Sequence, residues 1–149
     1  CYGNIYRSPV AAALLAREAE RRSWRDVRVS SAGFVSREGR PSPEDARAAA
    51  RALGLSLDAH RSSRLTRERV ERAQLLIVMD RQHEALLLNE FPQALEKTVP
   101  LWRFDARDGA REEVLHDPYG KGAEVVQACY QRINLCVEAL AAALEPRFR

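Results

Sequence analysis

Hydrophobic residues recur along the 149-residue chain with two different spacings, and the wider one indicates helices. Long segments carry apolar residues three and four positions apart, as in helices that bury one face. Ser8-Pro9 precedes the first such segment and Gly54 follows the second, and these residue types commonly begin and end helices. Asp80 is a typical capping residue for a further helix. The predicted helices cover residues 10–22, 43–53, 81–90 and 119–144.

Shorter segments with strand character lie between these helices. Residues 26–32 alternate between polar and apolar and end at Gly33, while residues 74–79 form a continuous apolar run, typical of a strand buried on both faces. Residues 98–101 are predicted to be a last strand, and residues 60–72 a short helical or irregular stretch. Because strands alternate with helices, we expect an α/β domain with a parallel sheet, whose ligands bind beyond the carboxyl ends of the strands.

Length and composition fit one domain covering residues 1–149, with 46% hydrophobic and 30% charged residues. No apolar run approaches the roughly 20 residues that a membrane span needs, and no signal peptide is visible. The three cysteines include no Cys-x-x-Cys pair, which argues against a disulfide framework and against a zinc site. We therefore expect a cytoplasmic protein that contacts no membrane.

The net charge of +3 is carried almost entirely by arginines, since only Lys97 and Lys121 are lysines. The arginines alternate with acidic residues, as in Glu18, Glu20 and Arg21, which is typical of a solvated helix face. No segment gathers basic residues with aromatic ones, so nucleic-acid binding is not expected. The mild positive bias is compatible with an anionic substrate.

The residues with the clearest chemistry stand at the start of the chain, in CYGNIYRSP (residues 1–9). A cysteine and an arginine with five residues between them form a loop that can wrap a phosphate, with backbone N–H groups and a helix N-terminus aimed at it. Gly3 allows close approach, Asn4 tolerates left-handed backbone, and Arg7 offers a planar fork for two phosphate oxygens. The same field lowers a thiol pKa, which favours a Cys1 thiolate that Ser8 can support.

This segment resembles the phosphate loop of the low-molecular-weight protein tyrosine phosphatases, which usually reads C-x-G-N-x-C-R-S-P. The similarity continues through Ser30-Ser31-Ala32-Gly33, which is similar to the family's D-S-A-G, and through Leu76 to Asp80. His116-Asp117-Pro118-Tyr119 resembles the D-P-Y loop that carries the family's general acid. Order and spacing agree over essentially the whole chain.

The resemblance implies a cofactor-free and metal-free enzyme that hydrolyses phosphotyrosine through a phosphocysteine. It implies that Cys1 is the nucleophile, Arg7 the phosphate clamp and Asp117 the general acid. The expected substrate is a phosphotyrosine-bearing protein such as an autophosphorylating tyrosine kinase, and a monomer or weak dimer is expected. The remaining site residues that it implies are Tyr2, Gly3, Asn4, Ile5, Tyr6, Ser8, Ser31 and His60, with Tyr119 as a pocket wall. Of these, Asn4, Ser8, Ser31 and His60 are expected to form one hydrogen-bond network.

Several positions depart from the family pattern. Tyr6 stands where the family has a second cysteine that can protect the nucleophile as a disulfide. The usual aromatic residue after S-A-G is absent, although Phe34 is close, and Gly120 replaces a second aromatic residue after Tyr119. In the family a central strand precedes the loop. We therefore expect a sheet of about four strands, with about five to ten apolar residues before Cys1 in the native protein forming that first central strand.

Other functions fit parts of the same pattern. Protein-arginine phosphatases share the fold but carry Thr where this chain has Ile5, and arsenate reductases use two extra cysteines with the spacing of Cys129 and Cys136, but on a different element. A non-catalytic module that binds phosphate or phosphopeptides is the alternative of another class. Among the remaining residues, we expect Asp80 to be a helix cap, His83 and His116 to lie on the surface, and Trp24 and Trp102 to lie in the core.

Overall fold

The computed structural model describes residues 1–35, 37–107 and 109–148. The order of elements is α1 (Arg7–Arg21), α2 (Glu44–Ala52), α3 (Arg67–Arg72), β1 (Leu76–Val78), α4 (Arg81–Glu90), β2 (Thr98–Pro100) and α5 (Ala123–Phe148). Short 3-10 helices cover Pro92–Lys97, Leu101–Phe104 and Ala110–Glu112.

The predicted helices are confirmed, with shifts at their ends. The first begins at Arg7, three residues before the predicted start, so Arg7 and Ser8 belong to its first turn. The last begins only at Ala123, because Gly120 and Gly122 adopt positive φ values of 71° and 97° that end the preceding turn. Asp80 caps α4 by accepting a hydrogen bond from the His83 N–H at 2.8 Å, as expected.

The sheet is parallel, as predicted, but the expected count of about four strands is wrong for the described residues. Only β1 and β2 pair there, with Leu76 opposite Thr98 and Val78 opposite Pro100. The predicted strand over 26–32 forms no ladder, and the nearest pairing is an isolated bridge between Gly33 and Arg64. A strand needs a neighbour within hydrogen-bonding distance, and a cavity lies where this segment and β1 face each other.

This central cavity has a volume of about 610 Å³ and is mainly apolar. Its walls are residues 26–34, residues 74–79 and the inner faces of α1 and α5. The backbone nitrogen of Cys1 lies at its edge, 3.3 Å from the Ala32 carbonyl oxygen. The expectation of a preceding central strand stays a prediction.

The hydrophobic core lies around α5, which packs against α1, α2 and the 3-10 helix at Leu101–Phe104. Trp24 and Trp102 are buried in it, as predicted. The surface position expected for His83 is wrong: the first turn of α4 places His83 in the interior, 2% exposed, with its ring 5.8 Å from that of Phe34. His116 is exposed, as expected. Within the described ranges, no helix is long and apolar enough to cross a membrane.

Candidate active site

The phosphate loop (residues 1–8) turns back on itself directly before α1. Asn4 at its apex has a φ of 55°, in the left-handed region that asparagine tolerates better than most residues. This turn leaves the open N-terminus of α1 next to the Cys1 side chain, since the Ser8 N–H reaches Cys1 Sγ at 3.4 Å. A helix N-terminus in this place favours a negative charge, whether a thiolate or a phosphate.

The Cys1 thiol has a second hydrogen-bond partner in the Ser8 hydroxyl. Cys1 Sγ and Ser8 Oγ are 2.9 Å apart. The hydroxyl and the backbone N–H of one residue therefore both lie within hydrogen-bonding distance of the sulfur atom, and both can donate to it once the thiol is ionised. Donors of this kind stabilise a thiolate relative to a thiol.

Asn4 is the centre of a buried hydrogen-bond network that holds the loop. Its Nδ2 donates to Ser8 Oγ and to Ser31 Oγ, both at 2.9 Å, and its Oδ1 accepts from the Ser63 N–H at 2.9 Å. His60 Nε2 donates to the Asn4 carbonyl at 2.7 Å. The structure thus brings together Asn4, Ser8, Ser31 and His60, and the strained apex is held from both sides.

Arg69 and Ser63 extend this network and were missed in the sequence. Arg69 donates to Ser63 Oγ at 2.8 Å and to the Ser31 carbonyl at 2.9 Å. Arg69 lies in α3 among other arginines and glutamates, so no spacing or motif distinguishes it from a solvated surface residue. Only the tertiary contact reveals its role.

Arg7 is almost completely buried at the base of the loop, 2% exposed. Its Nη1 donates to Asp80 Oδ2 at 2.8 Å and to the Leu115 carbonyl at 2.6 Å. Its Nη2 lies 3.9 Å from Asp117 Oδ2, and its buried Nε has no hydrogen-bond partner in the described residues. Arg7 therefore has donor capacity left for an anion in the loop.

Asp80 caps α4, as predicted, and it also orients the Arg7 guanidinium. Burial works against its ionised form, but hydrogen bonds from the His83 N–H and from Arg7 hold the pKa of Asp80 below its ordinary value. The carboxylate is therefore charged and pairs with the guanidinium. No local sequence pattern indicates this contact, since Asp80 and Arg7 are 73 residues apart.

The Asp117 loop (residues 114–119) faces the phosphate loop. Leu115 joins it to the end of β1, because its N–H donates to the Met79 carbonyl at 3.0 Å. The Asp117 side chain is 54% exposed, and its Oδ1 accepts from the Tyr119 N–H at 3.1 Å. The Tyr119 ring stands edge-on to the Tyr6 ring, with centroids 6.0 Å apart.

A pocket of about 260 Å³ opens between the two loops. Its lining residues are Cys1, Tyr2, Gly3, Ile5, Tyr6, Arg7, Val35, Arg40, Asp117 and Tyr119. All of them except Val35 and Arg40 were candidates from the sequence. Phe34 lines the central cavity instead, so it does not replace the missing aromatic wall here.

Tyr6 fixes one side of the pocket in place. It is buried, and its hydroxyl donates to Asp45 Oδ1 at 2.9 Å, at the start of α2. Burial and the bond to Asp45 raise the pKa of Tyr6 to about 12, so it is a neutral wall at physiological pH. The Tyr130 hydroxyl of α5 donates to the Tyr6 carbonyl at 2.6 Å.

Known proteins are similar to this chain in both sequence and fold. A protein-arginine-phosphatase of Geobacillus stearothermophilus is 34% identical over 146 residues, 97% of this chain and 93% of the relative. A probable low molecular weight protein-tyrosine-phosphatase, EpsP of Ralstonia nicotianae, is 32% identical over 139 residues, 93% of this chain and 88% of the relative. A solved structure of YwlE arginine phosphatase, a mutant with a phosphorylated active-site serine, matches with a TM-score of 0.88 at 28% identity, covering 99% of this chain and 95% of that one.

The family comparison agrees with these individual matches. Residues 1–148 match the family described as low molecular weight phosphotyrosine protein phosphatase. The match spans nearly the whole chain, including the phosphate loop and the Asp117 loop. It confirms the resemblance expected from the sequence and the enzyme class that the resemblance implied: this chain belongs to the low-molecular-weight phosphotyrosine protein phosphatase family.

Proposed function

We propose that this protein hydrolyses phosphotyrosine in protein substrates, with Cys1 as nucleophile, Arg7 as phosphate clamp and Asp117 as general acid. The observation that carries the proposal is their placement around one pocket: Cys1 Sγ lies within hydrogen-bonding distance of the Ser8 hydroxyl and N–H, the unpaired Arg7 Nε lies buried beside the loop, and the Asp117 carboxylate lies 3.9 Å from Arg7 Nη2. A module that only binds phosphate needs neither a thiol nor an acid at these places.

In the first step the Cys1 thiolate attacks phosphorus, forming an S–P bond while the bond from phosphorus to the phenolic oxygen breaks. Asp117, protonated at this point, gives its proton to the departing phenolate. Arg7 and the backbone N–H groups of the phosphate loop bind the three equatorial oxygens. The products of this step are tyrosine and a phosphocysteine.

In the second step water attacks the phosphorus of the phosphocysteine. Asp117, now ionised, accepts a proton from that water, and the S–P bond breaks to release inorganic phosphate. The Ser8 hydroxyl and N–H stabilise the thiolate that leaves, since both lie within hydrogen-bonding distance of the sulfur atom. The cycle returns Cys1 to thiolate and Asp117 to its protonated form.

The walls of the pocket favour an aromatic leaving group. Tyr2 and Tyr119 are half or more exposed at its rim, and Ile5 gives it a buried aliphatic side. A flat phenyl ring can pack against such surfaces, whereas the short side chain of phosphoserine cannot place its phosphate as deeply. We infer that phosphotyrosine is preferred over phosphoserine.

Phosphoarginine is the second candidate, because a relative and a solved structure reported above are both named arginine phosphatases. Two residues of this pocket argue against it. Ile5 offers no hydrogen-bond acceptor to a guanidinium group, and Arg40 places a like charge beside Gly3 in the lining. A cationic group next to a second guanidinium is disfavoured in a partly desolvated pocket.

A comparison of two peptides tests the proposal directly. We expect kcat/KM to be higher for a phosphotyrosine peptide than for a phosphoarginine peptide of otherwise the same sequence, with EDTA present in both assays. Cys1→Ser serves as the control, and it should abolish turnover of both while it still binds vanadate. A preference for phosphoarginine would overturn the substrate assignment, and turnover by Cys1→Ser within tenfold of wild type would overturn the mechanism.

The binding partner, the oligomeric state and the cellular compartment are also part of the proposal. Membership of the family implies phosphoprotein substrates. We propose a tyrosine-phosphorylated protein, such as an autophosphorylating kinase, as the partner and a cytoplasmic location, which the free state of Cys1, Cys129 and Cys136 supports. A monomer or weak dimer is proposed for the assembly.

A further inference from the structure

Arg132 on α5 holds the chain segment that leads into the Asp117 loop. Its guanidinium donates to three backbone carbonyls, those of Val114 at 2.7 Å, Ala110 at 3.0 Å and Glu113. Its Nε donates to Asp105 Oδ2 at 2.8 Å. One side chain, 13% exposed, thus ties three residues of the 110–114 segment, which begins with a short 3-10 helix, to a long helix.

Asp105 is the counter-charge that orients this arginine. It is fully buried, and besides Arg132 it accepts hydrogen bonds from Arg107 at 2.9 and 2.6 Å. The bonds from Arg107, against the effect of burial and together with the bond from Arg132, hold the pKa of Asp105 far below its ordinary value. A buried ion pair is weak evidence for stability alone, and fixing one conformation is its better attested use.

The segment that Arg132 holds continues directly into the proposed acid. Leu115 follows Val114 and is fixed from the other side, by the Met79 carbonyl and by Arg7. Asp117 comes two residues later, and its half-exposed side chain has few contacts of its own. The position of its carboxylate is therefore decided mainly by the backbone that carries it.

We propose that Arg132, oriented by Asp105, is a positioning residue for general-acid catalysis: it fixes the backbone of residues 110–114 so that Asp117 meets the leaving oxygen. The proposal rests on the proposed role of Asp117 as the acid. Arg132 itself does not line the pocket and touches no reacting atom.

Only an arginine suits this place. The carbonyls of residues 110, 113 and 114 and the Asp105 carboxylate surround a planar group with several donors. A lysine keeps the charge but offers a single ammonium, which cannot serve all four acceptors at once. Small errors in the position of a catalytic group are costly, since a displacement of about 1 Å can reduce the rate about 10²-fold.

The test compares two leaving groups in Arg132→Met and Arg132→Lys. For a phosphotyrosine peptide, whose leaving group needs a proton, we expect kcat to fall about tenfold or more, within the range of a lost general acid. For para-nitrophenyl phosphate, whose leaving group needs little help, we expect a clearly smaller loss. In an Asp117→Asn background the Arg132 substitutions should have almost no further effect on the peptide, because the group they position is already gone.

Arg22→Met is the matched control, because Arg22 also makes an ion pair with α5, through Glu145, but far from the Asp117 loop. It should not change the ratio of the two rates. Asp105→Asn should reproduce the Arg132 pattern in a milder form, which keeps the test open if Arg132→Met unfolds.

Two outcomes of this test distinguish a failure of the positioning role from a failure of the proposed function. If Asp117→Asn distinguishes the two substrates but the Arg132 and Asp105 variants lower both rates equally, the positioning role is wrong and the proposed function stands. If Asp117→Asn itself lowers both rates equally, the assignment of the acid fails, and the positioning role fails with it.

Discussion

At the scale of single residues, Arg7 uses only part of its donor capacity on hydrogen bonds within the described protein. Nη1 is used by Asp80 and Leu115, while Nε is buried and unpaired and Nη2 faces Asp117 across 3.9 Å. The guanidinium is thus held in one orientation before a phosphate arrives. Such preorganisation reduces the reorganisation that binding and reaction would otherwise require.

Replacing Asp117 by asparagine tests the proposed general acid while keeping the shape of the side chain. The amide keeps the shape but cannot give a proton, so we expect turnover of a phosphotyrosine peptide to fall about 10²–10⁴-fold. An aryl phosphate with an activated leaving group should lose much less. Steady-state rates for both substrates decide this, and an equal loss would mean that Asp117 has a structural role.

Oxidation should inactivate this protein without forming an internal disulfide. Cys129 and Cys136 have their pKa values raised to about 11 by burial, so neither is a ready nucleophile towards an oxidised Cys1. Tyr6 occupies the place next to the nucleophile from which a thiol would act. After peroxide treatment, mass spectrometry should show higher oxides of Cys1 and poor rescue by thiol reductants.

The Tyr6→Cys variant provides the comparison, because a thiol at this position should make inactivation reversible. A disulfide from Cys1 to Cys129 or Cys136 in good yield would contradict the prediction. Such a bond requires the two Cα atoms to lie within about 7 Å of each other, so α5 would have to approach Cys1 that closely.

Residue types, spacing and the family resemblance were enough to predict most of the residues that line the pocket, but not the residues that support them. Cys1 and Arg7 were predicted from the spacing of the phosphate loop, and Asp117 from its resemblance to the family's D-P-Y loop. Arg40 and Arg69 were missed because both come from segments that reach the site only through the fold. No local pattern distinguishes such arginines from the others in an arginine-rich chain.

At the scale of elements, residues 32–34 approach the phosphate loop more closely than a side chain would allow. A Cβ atom at Gly33 would lie 2.6 Å from the Tyr2 carbonyl oxygen and 3.0 Å from the Asn4 nitrogen. The N–H groups of Phe34 and Val35 both reach the same Tyr2 carbonyl, at 2.9 and 3.2 Å. This contact fixes the loop against the 32–35 segment.

Gly33→Ala should therefore disturb the phosphate loop without touching the substrate. The methyl group would displace Tyr2 and Asn4, and we expect vanadate affinity and kcat/KM to fall together, by about 10²-fold for a displacement near 1 Å. Vanadate titration and circular dichroism of the same sample measure both binding and folding. Unchanged vanadate affinity in a folded variant would show that the loop adapts.

Helices were easier to predict than strands for a physical reason. The apolar spacing of α1 and α5 is a property of each segment by itself, and at α4 the cap Asp80 also marks the start of the helix. Residues 26–32 have strand-like alternation, but pairing requires a partner, and the central cavity stands beside them. Alternation alone therefore predicted a strand where none forms in the described chain.

At the scale of the whole molecule, the buried His83 links stability to pH. Burial, aided by the charge of Arg7 and opposed by those of Asp80 and Asp117, lowers the pKa of His83 from 6.5 to about 4. The folded state therefore excludes a proton that the unfolded chain binds between these values. The free energy of unfolding should decrease as the pH falls from about 6.5 towards 4.

Urea titrations at several pH values in this interval measure the effect. His83→Gln removes the titrating group, so we expect its unfolding free energy to depend less on pH over the same interval, whatever the absolute stability of the variant. Equal pH dependence in the two proteins would show that His83 is protonated in the folded state or does not titrate there.

Helix α5 touches both halves of the site within a single turn. Tyr130 donates to the backbone of Tyr6 in the phosphate loop, and Arg132 holds the segment that leads to Asp117. The geometry of one helix therefore contributes to the separation of the two loops, together with the contacts of Arg7 and Leu115. One extra residue inserted between Tyr130 and Arg132 would rotate one contact about 100° relative to the other. Because apolar residues of α5 beyond this point are buried in the core, the same insertion would turn its apolar face, so we expect it to destabilise the fold together with the site.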